Sequence, residues 1–278
     1  MQYVAPADLD TALDVLAAGT WVVVAGGTDF YPARVGRPLL DPVVDISGVS
    51  ELRGITVTND TYRIGALTSW AQIRDSSLPP VFDGLRLAAR EVGAVQVQNA
   101  GTVGGNLCNA SPAADGIPPL LTLDASVELT SASGTRMLAV EDFLTGYRQT
   151  DLRPGELLTA VTVPRKGEGS FSDFHKLGSR SHLVISIVMV ASVITLDDGV
   201  VSDARVAVGS CSPVAQRLRR LEEALRGHSV KDNLESLVEP AHLTVLSPID
   251  DVRAPAWYRL EATQQLIQRS LRHCQDAM

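Results

Sequence analysis

Apolar positions change their period several times along the chain, and each change predicts an element. Leu9, Ala12, Leu13 and Leu16 recur at helical spacing between Asp8 and Gly19, residue types suited to the two ends of a helix. Trp21 to Ala25 is a short β-branched run that breaks into Gly26-Gly27-Thr28-Asp29, a strand followed by a glycine-rich turn. A further strand is predicted at Val43 to Ile46, and Ile55 to Val57 with Tyr62 to Ile64 form a hairpin around Thr58 to Thr61. Thr68 is placed to cap a helix reaching about Asp75, and Pro79-Pro80 opens another whose apolar face is Leu85, Ala88, Ala89 and Val92. From Asn99 to Asp115 neither period persists, which predicts a long loop of the kind that usually serves function.

The second half reads as more strand than helix until the chain's last quarter. Ser126 to Thr130 and Arg136 to Ala139 flank Ser133-Gly134 as a second hairpin, and Leu157 to Val163 is a strand ending at Pro164. Arg165-Lys166-Gly167-Glu168-Gly169 is charged and free of apolar residues, so a domain boundary is expected there. Phe171 to Lys176, Ile185 to Leu196 and Val201 to Val208 follow as strands, the last two joined by Asp197-Asp198-Gly199. Gln216 to Leu225 and Trp257 to His273 carry apolar residues at helical spacing, with Trp257 and Tyr258 expected to anchor the last helix in the core. A small antiparallel sheet covered by helices is the expected second domain.

Composition narrows the function classes. The 278 residues carry a formal net charge of -8, a field that repels phosphate backbones, so nucleic acid is not an expected partner. The longest near-apolar run, Leu183 to Leu196, is shorter than the ~20 residues of a membrane-spanning helix and reads as a buried strand. The start MQYVAPADLD lacks the basic region and apolar stretch of a secretory signal, which predicts a cytoplasmic protein. Cys108, Cys211 and Cys274 form no CxxC pair, and the five histidines show no local pairing that brings two imidazoles to one metal, so neither an iron–sulfur cluster nor another metal site is expected. Cys108 is expected to be a small buried hydrophobe rather than a redox thiol, and Arg217-Leu218-Arg219-Arg220, followed by Glu222 and Glu223, a solvated salt-bridged helix face.

Two glycine-rich elements carry the candidate chemistry, Val24-Ala25-Gly26-Gly27-Thr28-Asp29 and Gly101-Thr102-Val103-Gly104-Gly105-Asn106. Paired glycines remove the Cβ atoms that would keep a diphosphate from backbone N–H groups, and Thr28, Thr102, Asn106 and Asn109 can add hydrogen bonds. Gly-Gly pairs also make plain turns. Neither element is GxGxxG or a P-loop, which argues against a Rossmann dehydrogenase and a nucleoside triphosphatase.

AGGTD at Ala25 to Asp29 paired with TVGGN at Thr102 to Asn106 resembles the FAD-binding medium subunit of the molybdenum hydroxylases, the family of xanthine and carbon monoxide dehydrogenases. The likeness extends through Asn106 to Asp115, Pro154-Gly155-Glu156-Leu157-Leu158, Phe174 to Arg180 and Arg253 to Arg259. It implies an α+β chain: a two-lobed FAD-binding domain of the vanillyl-alcohol-oxidase type over residues 1–165, with subdomains of about 1–53 and 54–165, then a C-terminal domain of the carbon monoxide dehydrogenase flavoprotein type over 170–278. The implied cofactor-binding residues are Val24, Ala25, Gly26, Gly27, Thr28, Asp29, Phe30, Thr102, Gly104, Gly105, Asn106 and Asn109, with Asp115 further along the same FAD and Leu158 and Lys176 near its adenine or isoalloxazine. Relatives often have Ser or His where this chain has Asp29, whose carboxylate must point away from the diphosphate or accept from a ribose hydroxyl. His175, beside Lys176, reads as an ordinary exposed strand residue. The chain lacks the cysteine-bearing insertion of the benzoyl-coenzyme-A reductase branch.

The function this resemblance implies is electron transfer. FAD takes electrons from [2Fe-2S] clusters of a small partner subunit, downstream of a large molybdopterin subunit, and passes them to a soluble acceptor. No catalytic acid or base is expected in this chain. A stand-alone FAD-dependent oxidoreductase with its own small substrate is the alternative, and a scaffold whose glycine loops are only turns is a third reading.

Overall fold

The computed structural model describes residues 2–166, 170–180 and 183–277, so residues 167–169 of the expected boundary lie outside the described residues. The chain begins with β1 (Tyr3–Val4) and α1 (Leu9–Ala17), which Asp8 caps by accepting from the Thr11 amide at 2.8 Å. Strands β2 (Val22–Val24) and β3 (Val43–Asp45) precede the hairpin of β4 (Ile55–Val57) and β5 (Thr61–Gly65). Five short helices follow: α2 (Trp70–Arg74), α3 (Asp83–Glu91), α4 (Val95–Ala100), α5 (Val103–Asn109) and α6 (Ile117–Thr122). The hairpin of β6 (Ser126–Ser131) and β7 (Gly134–Ala139), then α7 (Val140–Phe143) and the ribbon β8 (Leu144–Gly146) with β9 (Gln149–Thr150), lead to β10 (Leu157–Pro164). Strands β11 (Ser170–Leu177), β12 (Val188–Asp197), β13 (Val200–Gly209) and β14 (Gln216–Arg217) come before α8 (Arg219–Leu225) and α9 (Ala256–Asp276).

Packing divides the chain into two units that interleave in sequence: Met1–Gln72, Val95–Ala110 and Ala125–Arg165 form the first, while Ile73–Ala94, Ser111–Asp124 and Lys166–Met278 form the second. A single boundary near 165 does not describe this packing. The first unit holds a parallel sheet in the order β1-β3-β2 and an antiparallel sheet in the order β4-β5-β10-β6-β7. They share a core in which Ala12, Leu13 and Leu16 of α1 meet Val44, Ile46, Leu52, Leu67 and Leu157. Thr68 does not cap α2: it is buried and donates to the Gly54 carbonyl, and Ser69 Oγ accepts from the Gln72 amide at 3.2 Å instead. The predicted loop from Asn99 to Asp115 contains the end of α4 and all of α5, helices too short to establish a period.

The second unit is built on the antiparallel sheet β11-β12-β13-β14. On β12, Val188, Val190 and Ile194 pack with α8 and α9 residues such as Leu221, Ile267 and Leu271, and Met189 and Ala191 pack with Ala88 of α3. Burial on both faces explains why this segment reads as a nearly continuous apolar run. The strand begins at Val188, later than expected, and Gln216-Arg217 form β14 ahead of the helix. Arg217 is ion-paired as expected but not solvated: its side chain is 3% exposed and holds the 2% exposed Glu222 through Nε at 2.5 Å, with Nη1 on Asp124 at 2.9 Å. Trp257 and Tyr258 lie exposed, and α9 is anchored by Arg259, Thr263, Leu266, Ile267 and Leu271. His175 and His273, which no local spacing pairs, stand with ring centroids 5.0 Å apart.

Candidate functional site

The first glycine element leaves the sheet where β2 ends at the buried Val24. A Cβ on Gly26 would lie 1.8 Å from the Ala100 carbonyl oxygen, so glycine there lets the loop dock on the junction of α4 and α5. Gly27 has φ +70°, a left-handed conformation that side chains resist, and the Tyr31 ring covers it. A Gly101 Cβ would come within 3.3 Å of Thr28 Oγ1. The fold therefore brings together two elements far apart in sequence.

In the second element, Thr102 Oγ1 accepts from the Gly105 amide at 3.0 Å and caps α5. Gly104 packs on Ala66, where a Cβ would be 2.7 Å from the alanine methyl. Gly105 is exposed, and a Cβ there would lie 2.9 Å from Thr102 Oγ1. Among the described residues, the backbone N–H groups of Gly26, Gly27, Thr28 and Asp29 have no acceptor within the protein. Asn106 Oδ1 is buried without a partner. A buried acceptor such as Asn106 Oδ1 is costly to leave unmatched and marks a place for an incoming donor, while the N–H groups of the half-buried and exposed residues from Gly26 to Asp29 are free to meet an acceptor.

Two arginines that the sequence reading missed border these loops. Arg148, held at φ +52° in the β8–β9 turn, donates through Nη1 to Asn109 Oδ1 at 2.6 Å and lies 3.4 Å from Asp29 Oδ2. Arg148 thus places a positive charge beside Asp29. Arg34 lies 3.9 Å over the centre of the Phe30 ring and donates to the Phe30 carbonyl. The contact from Arg148 to Asp29 spans 119 residues, and no local pattern announces it.

The remaining predicted residues are placed differently. Leu158 is buried inside β10, beside a bulge in its pairing with β6. Asp115 and Lys176 belong to the second unit, where Lys176 Nζ donates to Asp115 Oδ2 at 2.8 Å and Ser186 donates to Oδ1 at 2.9 Å. Burial pushes the Asp115 carboxyl above its ordinary range despite Lys176 and Ser186. These two residues satisfy each other. Cys108 is exposed, contrary to expectation, because α5 turns that side outward.

A family model described as FAD binding domain in molybdopterin dehydrogenase matches residues 1–166, and one described as CO dehydrogenase flavoprotein C-terminal domain matches residues 173–274. The chain belongs to the FAD-subunit family of the molybdenum hydroxylases. It is similar to the nicotinate dehydrogenase FAD-subunit of Eubacterium barkeri, 33% identical over 256 residues, covering 89% of this chain and 86% of that one. The xanthine dehydrogenase FAD-binding subunit of Escherichia coli O157:H7 is 31% identical over 270 residues, 95% of this chain and 92% of the other. Among solved structures, carbon monoxide dehydrogenase from Hydrogenophaga pseudoflava superposes with a TM-score of 0.88 at 27% identity, covering 98% of this chain and 96% of that one. This molybdenum hydroxylase FAD subunit has the α+β fold expected of it, and its first glycine loop fits the family's cofactor: FAD brings diphosphate oxygens as acceptors, and the loop offers N–H groups without an acceptor among the described residues.

Proposed function

We propose that the chain is the electron-transfer flavoprotein of a heteromeric molybdopterin-dependent hydroxylase or dehydrogenase, docked to a small iron–sulfur subunit and a large molybdopterin subunit. The observation carrying this reading is the docking of the Gly26 loop on Ala100-Gly101, which sets the second glycine element beside a first one whose Gly26 to Asp29 N–H groups have no acceptor among the described residues. The residues from Val24 to Phe30, with Thr102, Gly104, Gly105, Asn106 and Asn109, hold the cofactor. Gly26 and Gly104 act by close packing, Gly27 by its backbone conformation, and Gly105 by leaving an open approach. Asp29, balanced by Arg148, is available to a ribose hydroxyl without leaving a bare negative charge beside the diphosphate. Leu158 is buried within β10 of the same unit, while Asp115 and Lys176 pair with each other within the second unit. Bound FAD supplies the exchange of electrons between the partner's clusters and a soluble acceptor. The cofactor domain comprises 1–165 and the C-terminal domain 170–278.

Stopped-flow absorbance on the FAD-loaded single chain tests this reading. Dithionite bleaches the flavin, whereas xanthine, nicotinate and other small organic reductants do not; in the native complex, that complex's own reducing substrate does. Rapid bleaching of the single chain by such a substrate would establish the stand-alone oxidoreductase instead.

A further inference from the structure

Asp173 and His175 alternate by two along β11, so both side chains stand on one face of that strand. The last turn of α9 lays His273 against them. Nε2 of His175 is 3.0 Å from Oδ2 of Asp173, and Nδ1 of His273 is 3.2 Å from the same oxygen. One ligand-type atom from each of the three residues falls within 4.8 Å of the other two. A tetrahedral site with bonds of ~2.0–2.1 Å has edges of about 3.3 Å, so two of the three edges are already near their final length. The third closes by rotation of the His273 ring, whose side chain is half exposed.

Two details separate this cluster from an ordinary charge pair. Asp173 Oδ1 accepts from the Phe174 amide at 2.8 Å, which fixes the carboxylate and leaves Oδ2 to face both rings, the supporting contact that ligating carboxylates need. Nε2 of His175 is buried and close to that oxygen, yet makes no aligned hydrogen bond. This is the disposition of a ligating lone pair. Arg86 and Arg90 of α3 line the same hollow, and the Arg86 guanidinium is held by Asp83 and the Leu78 carbonyl.

We propose that Asp173, His175 and His273 form a mononuclear site for a borderline divalent cation, Zn²⁺ above all, which pins the end of α9 to β11. Two imidazoles and one carboxylate, with a water on the open side at His273, suit zinc and its neighbours; Mg²⁺ and Ca²⁺ require oxygen ligands.

The test is a Zn²⁺ titration of the chelator-stripped full chain in competition with a chromophoric chelator, with thermal melts in Zn²⁺ and in Mg²⁺. One Zn²⁺ should bind per chain, and Zn²⁺ but not Mg²⁺ should raise the melting temperature. His273→Ala, at a half-exposed position, should weaken Zn²⁺ binding at least tenfold and remove the thermal shift. His242→Ala, remote in the fold, should do neither. Absence of stoichiometric binding, or equal binding by the wild type and His273→Ala, would overturn the proposal.

Discussion

Gly105→Ala separates the needs of the fold from the needs of the cofactor. Within a helix, alanine is favoured over glycine by about 0.5–1 kcal/mol. The added Cβ would meet Thr102 Oγ1 at 2.9 Å and disturb the cap of α5, which costs about 1 kcal/mol. These contributions nearly cancel, so the apo chain should melt within a few degrees of wild type, since 1 kcal/mol shifts a domain of this size by about 2–4 °C. The methyl projects from an exposed position, where the proposed diphosphate approaches the backbone. An overpacked contact of about 1–3 kcal/mol there raises the FAD dissociation constant roughly five- to 150-fold. Flavin fluorescence quenching measures the affinity, and circular dichroism the melt. A variant that melts like wild type and binds FAD within threefold of wild type would refute the cradle assignment for the second element.

Arg148→Gln should weaken FAD binding roughly three- to tenfold at low salt and less at high salt, while barely moving the melt, because exposed pairs contribute only about 0–1 kcal/mol; Asp29→Asn should loosen binding if the carboxylate accepts from the ribose, and isothermal titration reads both. Lys176→Met strands the buried Asp115 carboxylate and should cost about 3–5 kcal/mol in a urea melt, with Asp115→Asn in the same chain recovering most of the loss. Asp251 accepts from the Arg253 and Ala254 amides and pairs with the buried Arg259, which against partial burial hold its carboxyl at about 2. Because the folded value is depressed, its contribution is full above the unfolded value near 3.8 and is lost as pH falls toward about 2. Asp251→Asn should therefore flatten the fall in melting temperature across that window.

Sequence patterns are most legible where order is local. The α1 periodicity with its Asp8 cap, both hairpins and the strands of the C-terminal sheet are each specified by neighbours within a few residues. The glycine elements were visible because their chemistry lies in consecutive residues. Arg148 and the meeting of His175 with His273 were not, since each contact is made by chain topology across about a hundred residues or more. Arg217 shows the complementary failure: its pairing with Glu222 follows from spacing, while its burial follows from Asp124 and the Leu121 carbonyl, which α6 and the residues after it deliver from elsewhere.

Interleaving has a consequence for how the protein is made. Helix α3 leaves the ribosome long before β11 and β12 supply the sheet against which Ala88 packs, a wait of roughly ten seconds at ~5–20 residues per second. Through that interval the apolar sides of α3 and α6 have no permanent cover. A gene cut after residue 166 would make the wait permanent, so the portion carrying both glycine loops is a poor candidate for independent expression, however cleanly the family boundary falls there.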